Sequence, residues 1–160
     1  MFGRLGAGAA MRARDIAEAY PVVGVDTSAL VAARLIAGDR LPGLVVTDRD
    51  GTPKAVLPAS EVVRFLVPDY VQDDPTLAGV LGEVPTEWLA GRLRKATVAE
   101  LLPVRPAELA VLQSDDTLVE LAATMARLRS PLCAVMDGKR VLGVVTAARL
   151  LELVCGGQPE

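Results

Sequence analysis

The sequence predicts an α+β fold: two β-α-β-β-α repeats packed sheet to sheet about an approximate two-fold axis. Three observations predict it. First, the stretch Ala134–Val154, AVMDGKRVLGVVTAARLLELV, has an earlier counterpart in Val45–Leu66, VVTDRDGTPKAVLPASEVVRFL. In both, an apolar run ends at an Asp, Asp48 or Asp137. A Gly-bearing turn, a second apolar run and a segment of helical period follow, so the chain is internally duplicated. Second, Asp-Gly between two β-prone runs signals a tight hairpin, because the turn needs φ > 0. Third, the chain is 51% hydrophobic, yet either half alone is too small to bury its apolar surface. A three-stranded sheet with helices on one face leaves the other face bare, and the simplest cover is the second half.

Taken in order, residues 1–10 read as a leader. Gly3, Gly6 and Gly8 lie in it without a preceding strand, so they do not make a phosphate loop. The first repeat is assigned to residues 11–67. Met11–Tyr20 is a helix candidate with Ile16 and Ala17 inward, and Pro21 forces an extended backbone after it. Val22–Val25 reads as a strand. Asp26, Thr27 and Ser28 can each cap a helix over Ala29–Ala37, with Gly38 as its stop. Leu30, Ala33, Leu35, Ile36 and Ala37 form its apolar side. Strands at Leu44–Thr47 and Ala55–Leu57 flank the turn Asp48–Thr52. Ser60 is the expected cap of a closing helix, Glu61–Leu66.

Residues 68–93 form a connector broken by three prolines and three glycines. Helical turns are expected near Leu77–Leu81 and around Trp88. Asp73 and Asp74 precede Pro75 and read as helix caps. The second repeat, 94–155, follows the same scheme. It has a short helix at Thr97–Leu102 and a strand at Glu108–Leu112. A long amphipathic helix over Thr117–Arg129 turns Leu118, Leu121, Met125 and Leu128 inward. Strands at Leu132–Met136 and Val141–Val145 surround Asp137-Gly138, and a closing helix spans Ala147–Val154. Residues 156–160 are a tail.

Composition narrows the function. The net charge of −3 gives no basic field for nucleic acid, and 3% aromatics make no base-stacking platform. Two cysteines outside any CxxC pair suggest neither a disulfide frame nor a zinc site, and fit a cytoplasmic chain. No uncharged run approaches the roughly 20 residues of a membrane-spanning helix, so no membrane insertion is expected. Histidine is absent, and no Ser or Cys sits in a nucleophile motif. The chain therefore reads as non-catalytic. Arg92, Arg94 and Lys95 form a small basic cluster, either solvated or directed to a ligand phosphate.

The repeated order of elements resembles the cystathionine-β-synthase (CBS) domain, which occurs in tandem pairs. The resemblance spans about Met11–Leu66 and Arg94–Val154. It rests on the caps Asp26-Thr27-Ser28 and Asp115-Asp116-Thr117, on Pro42 and Pro131 before the hairpins, and on a closing motif. That motif is Gly, two apolar residues, Thr or Ser, two variable residues, then Asp and an apolar residue. The second repeat has Gly143-Val144-Val145-Thr146-Ala147-Ala148-Arg149-Leu150; the first has Ala55-Val56-Leu57-Pro58-Ala59-Ser60-Glu61-Val62.

The resemblance implies a regulatory or sensor module. Such modules bind adenine nucleotides or S-adenosyl compounds, here AMP, ADP, ATP or S-adenosylmethionine, in clefts between the repeats. It also implies a homodimer and a regulated partner, an enzyme or a transporter. The motif Asp would hold ribose hydroxyls, since a carboxylate is acceptor-only and takes both donors of a diol. Thr would lie near the phosphate. Both repeats depart from this pattern at Pro58, Glu61 and Arg149, whereas Thr146 is retained. Glu61 keeps an acceptor, so its cleft is expected to take a nucleoside; it also suits the first turn of any helix. A guanidinium has no acceptor and cannot hold a diol that way. The Arg149 cleft is then an anion site or stays empty. The rival is a structural protein-interaction module whose clefts have decayed.

Overall fold

The computed structural model describes residues 11–156; the leader expected at 1–10 and the tail beyond Gly156 lie outside the described residues. The first half begins with helix α1 (Ala13–Ile16) and strand β1 (Val22–Gly24). Helix α2 (Ala29–Asp39), strands β2 (Gly43–Thr47) and β3 (Pro53–Pro58) and helix α3 (Ala59–Phe65) complete it. The connector folds into α4 (Asp69–Asp73), a 3-10 turn (Pro75–Leu77), α5 (Ala78–Leu81) and α6 (Thr86–Arg94). The second half repeats the series as α7 (Val98–Leu101), β4 (Ala110–Gln113), α8 (Leu118–Leu128), β5 (Leu132–Asp137), β6 (Arg140–Thr146) and α9 (Ala147–Cys155).

The strands form two sheets of three, ordered β1-β2-β3 and β4-β5-β6. In each, the first pair is parallel and joined through a helix, and the second is an antiparallel hairpin. Both hairpins carry a register shift at the same place, between Val46 and Thr47 and between Val135 and Met136. Gly51 and Gly138 take φ of 89° and 65° in the two turns, as the Asp-Gly signal predicts.

Side chains alternate along each strand, and both faces are covered. Leu44, Val46 and Leu57 face the helices of the first half. Cys133, Val135 and Val145 face those of the second. The opposite faces meet: Val45 and Val56 pack against Leu132, Ala134, Val144 and Leu109. This mutual cover is why the central strands read as unbroken apolar runs rather than as alternating ones.

The opening helices are exchanged. Ala13 and Ile16 of α1 are buried on the second sheet, with Ala110, Leu121 and Met125. Val98 and Leu101 of α7 are buried on the first, with Val23, Ala29 and Leu44. Backbone bonds fasten both. Ala13 N–H donates to Asp116 O at 2.8 Å and Arg14 N–H to Ser114 O at 2.9 Å. Val98 N–H donates to Thr27 O at 2.8 Å and Ala99 N–H to Val25 O at 3.0 Å. Each half is thus completed by a piece of the other.

Several local expectations are corrected. The first helix is a single turn, because the chain after Ile16 is drawn out to pair with β6: Ala17 has ψ 139° and Glu18 bridges Val144. Gly38 does not stop α2; the helix runs through Asp39 and is closed by Arg40, at φ 54°, where Leu41 N–H returns to Ile36 O. Leu35 faces outward and Ala29 and Ala32 inward. Ser60 does not cap α3, which starts at Ala59 after Pro58 and has no side-chain cap. Of the two connector acids, Asp74 caps the 3-10 turn through Thr76 N–H, whereas Asp73 ends α4. The closing helix α9 extends one residue beyond the expected Val154, to Cys155.

Cys133 gives a pH test of the core. Burial, aided by the Asp116 carboxylate, pushes its thiol from 9.0 up to about 12. Above pH 9 the unfolded thiol ionises while the folded one keeps its proton. Stability contributed by this group is therefore complete below pH 9 and falls as pH rises toward 12, by at most about 1.4 kcal/mol per pH unit. Denaturant titrations of wild type and Cys133→Val at pH 8 and pH 10 should show the wild type losing more stability. Equal losses would place the thiol in contact with water.

Candidate ligand clefts at the repeat seam

Each hairpin delivers its second strand to a corner where a closing helix begins. Pairing of Gly43 with Pro58 and of Leu132 with Thr146 puts the two corners at equivalent places. The corners differ chemically. Thr146 Oγ1 accepts from Arg149 N–H at 3.0 Å and caps α9. Pro58 has no hydroxyl and caps nothing through its side chain.

The Thr146 corner opens on a cleft of ≈ 530 Å³. Segments 18–20 and 40–42 of the first half line it, with Pro131 and 146–148 of the second. It lies at the seam between the repeats. Its charged side chains are Glu18 and Arg40; Tyr20, Leu41, Pro42, Pro131, Ala147 and Ala148 supply apolar surface. Tyr20 donates its hydroxyl to Gly43 O at 2.6 Å. Burial outweighs that bond and pushes the phenol up to about 12, so the ring stays neutral.

Glu18 reaches this cleft because β6 holds its backbone from both sides. Glu18 N–H donates to Val144 O at 3.0 Å, and Val144 N–H to Glu18 O at 2.9 Å. The motif glycine explains the close approach. A Cβ on Gly143 would lie 2.8 Å from Glu18 O and 3.1 Å from Ala17 Cβ. The first repeat has Ala55 at that position, and Pro103, which has no N–H to donate, stands where Glu18 stands.

Arg149 is not among the side chains lining the cleft. Its Nε lies 3.9 Å from Glu18 Oε2, and its Nη1 lies 3.0 Å from Glu152 Oε1. Nε is itself buried without a hydrogen-bond partner among the described residues. The guanidinium standing at the motif's acidic position is thus held between two carboxylates.

Glu61 lines a separate, smaller cleft of ≈ 300 Å³ with Arg64, Phe65, Asp69, Gln72 and residues 100–104. Glu61 approaches Arg64 at 3.7 Å. Glu100 accepts from Thr97 N–H at 2.8 Å as part of a helix cap. Glu61, Asp69 and Glu100 give this cleft three carboxylates against one guanidinium. The four residues predicted from the motif therefore divide between two corners; Thr146 lines the first of these two clefts and Glu61 the second, while Pro58 and Arg149 line neither.

Sequence reasoning missed Glu18, Tyr20 and Arg40. Setting the repeats against each other offered one signal, an acid at 18 opposite a proline at 103. Arg92, from the basic cluster, lies over Phe65 at 5.6 Å and Trp88 at 5.9 Å, and its Nε donates to Phe65 O at 3.2 Å. It ties α6 to α3 by cation–π and hydrogen-bond contacts. Among the described residues no group of three potential ligands is placed to hold a metal, and no helix is long and apolar enough to cross a membrane.

Comparison with known proteins agrees with this architecture. The family model for the CBS domain matches residues 98–156. No curated protein sequence matches. The crystal structure of a CBS domain-containing protein of unknown function from Kribbella flavida is 55% identical, with a TM-score of 0.85. The match covers 92% of this chain and 100% of that one. CBSX2, solved in complex with AMP, matches at 18% identity and TM-score 0.59, over 89% of this chain and 95% of its own. The CBS domain pair of protein MJ0100, solved with 5′-methylthioadenosine and S-adenosyl-L-methionine, matches at 16% identity and TM-score 0.63, over 93% and 99%. The last two are alike in fold alone. With two sheets in mutual cover and a relative 55% identical and matched over its whole length, this chain belongs to the CBS domain family, as a tandem pair.

Proposed function

We propose that this chain is a non-catalytic regulatory module in the cytoplasm. Repeats 11–67 and 94–155, joined by connector 68–93, would take an adenine nucleotide or S-adenosyl compound at their seam. The candidates are AMP, ADP, ATP and S-adenosylmethionine. The Thr146 cleft carries the reading. At ≈ 530 Å³ it falls within the roughly 300–1,000 Å³ of small-molecule sites, and it offers apolar walls, a hydroxyl, one carboxylate and one guanidinium. The AMP complex of CBSX2 and the S-adenosylmethionine complex of the MJ0100 pair support the ligand class. Pro58 and Glu61 mark a second corner whose excess of carboxylates suits a hydroxyl-bearing or cationic group better than a phosphate.

A ligand touching both repeats favours one relative arrangement of them in proportion to its difference in affinity. A regulated enzyme or transporter would read that difference. A homodimer formed through helix faces would cover Val63 on α3 and Leu151 and Val154 on α9, each 60% or more exposed. Sedimentation equilibrium tests it: a single-chain mass at micromolar concentration removes the dimer.

One observation favours the alternative of a structural docking module: Arg149 stands at the motif's acidic position and Pro58 at the other repeat's Thr position. Calorimetric titration with the four compounds decides. Binding at 100 times Kd adds about 2.7 kcal/mol and raises Tm by several degrees. No heat and no thermal shift at millimolar concentration would leave docking as the function.

A further inference from the structure

We propose that Glu18, oriented by Arg149, holds the ligand's hydroxyls in the Thr146 cleft, and that Arg40 on the other segment holds its anionic end. This rests on the nucleotide reading above and assigns the residues that carry it out. The observation behind it is a displaced carboxylate. Position 149 bears a cation, and the acid nearest the seam has moved to the chain segment that crosses the corner.

Glu18 is fitted to the task. Its backbone is locked to Val144 by two hydrogen bonds, and Gly143 leaves the room that this contact needs. Its side chain is 56% exposed and lines the cleft. Among the described residues neither carboxylate oxygen accepts a hydrogen bond, and the guanidinium at 3.9 Å aligns the group without consuming its acceptors. Two free acceptor oxygens match the two donors of a cis-diol.

Arg40 lines the same cleft from the end of α2 and makes no ion pair among the described residues. Its fork of donors suits a phosphate. A cleft with an acceptor-only group and a donor-only group separated by apolar walls selects a molecule with hydroxyl donors at one end and an anion at the other. The Glu61 cleft lacks this polarity, because a proline replaces Glu18 there and carboxylates outnumber cations.

Calorimetry with AMP, 2′-deoxy-AMP and adenosine tests the assignment on the full chain. Wild type should prefer AMP to 2′-deoxy-AMP by about tenfold, the usual effect of losing one hydrogen bond to a charged group. Glu18→Gln should abolish that preference and weaken 2′-deoxy-AMP as well, because its remaining 3′-hydroxyl loses the same carboxylate. Arg149→Gln should reduce the preference in the same direction, as expected of a positioning residue. Arg40→Gln should bring AMP down to the affinity of adenosine. An unchanged Tm in each variant shows that the fold is intact. A Glu18→Gln protein that still prefers AMP overturns the assignment and leaves the nucleotide reading standing. So does wild type that does not discriminate, or that binds another of the four compounds but not AMP. Wild type that binds none of the four removes both.

Discussion

Val45→Asp is expected to unfold both halves together. Val45 lies in the middle of β2, fully buried, and faces Leu132, Ala134 and Val144 of the other sheet. No cation is among the residues of that contact. An unpaired carboxylate there must be desolvated or protonated, at a cost of several kcal/mol. That is comparable to the entire stability of a small domain, about 5–15 kcal/mol. Val45→Ala separates burial of charge from loss of packing. It removes two methyl groups and should cost about 2–3 kcal/mol while leaving the fold intact. Circular dichroism and denaturant titration read both. If Val45→Asp retained native signal in either half, the sheets would not depend on each other.

Gly143→Val should be the most damaging substitution at the cleft. In an ordinary strand, replacing glycine gains stability by restricting the unfolded chain. Here the new Cβ would meet Glu18 O at 2.8 Å, and the obstacle is backbone, which cannot rotate aside. The segment 17–18 must lift from β6 and lose its two hydrogen bonds to Val144. Overpacking of this kind costs about 1–3 kcal/mol, and the lost bonds add to it. The substitution should also abolish ligand binding, because Glu18 leaves the cleft. Gly91→Ala is the matched control: it lies inside α6 with nothing within 4 Å of its new Cβ, and should stabilise by roughly 0.5–1 kcal/mol. Equal effects at the two positions would refute the close approach.

The features legible in the sequence are those that repeat or that depend on a few adjacent residues. Both hairpins are set by Asp-Gly turns between apolar runs. Thr117, read as a cap from the sequence, caps α8 in a reciprocal pair with Glu120, with Thr117 N–H donating to Glu120 Oε1 at 2.8 Å and Glu120 N–H to Thr117 Oγ1 at 3.2 Å. The equivalence of Pro58 with Thr146 follows from strand register alone. What stayed hidden depends on contacts distant in sequence. Ala13 and Ile16 are apolar enough to seek a sheet, but nothing local says that it is the second one. Arg40 ends α2 at positive φ, a conformation that glycine normally supplies, so Gly38 drew the boundary too early. Glu18 carries no local signal of a site, because its cleft exists only once residues 143–149 fold back onto it.

The claim on which the rest depends is that neither sheet is stable without the face of the other. Native-state hydrogen exchange measures it directly, through the ladder amides of β2 and β5. Both sets are expected to exchange only by global unfolding, with one shared free energy that falls equally in both when Leu132 is replaced by Ala. If the amides of one sheet opened at a lower free energy while the other stayed protected, the halves would be separate folding units and a ligand at their seam would have nothing to couple.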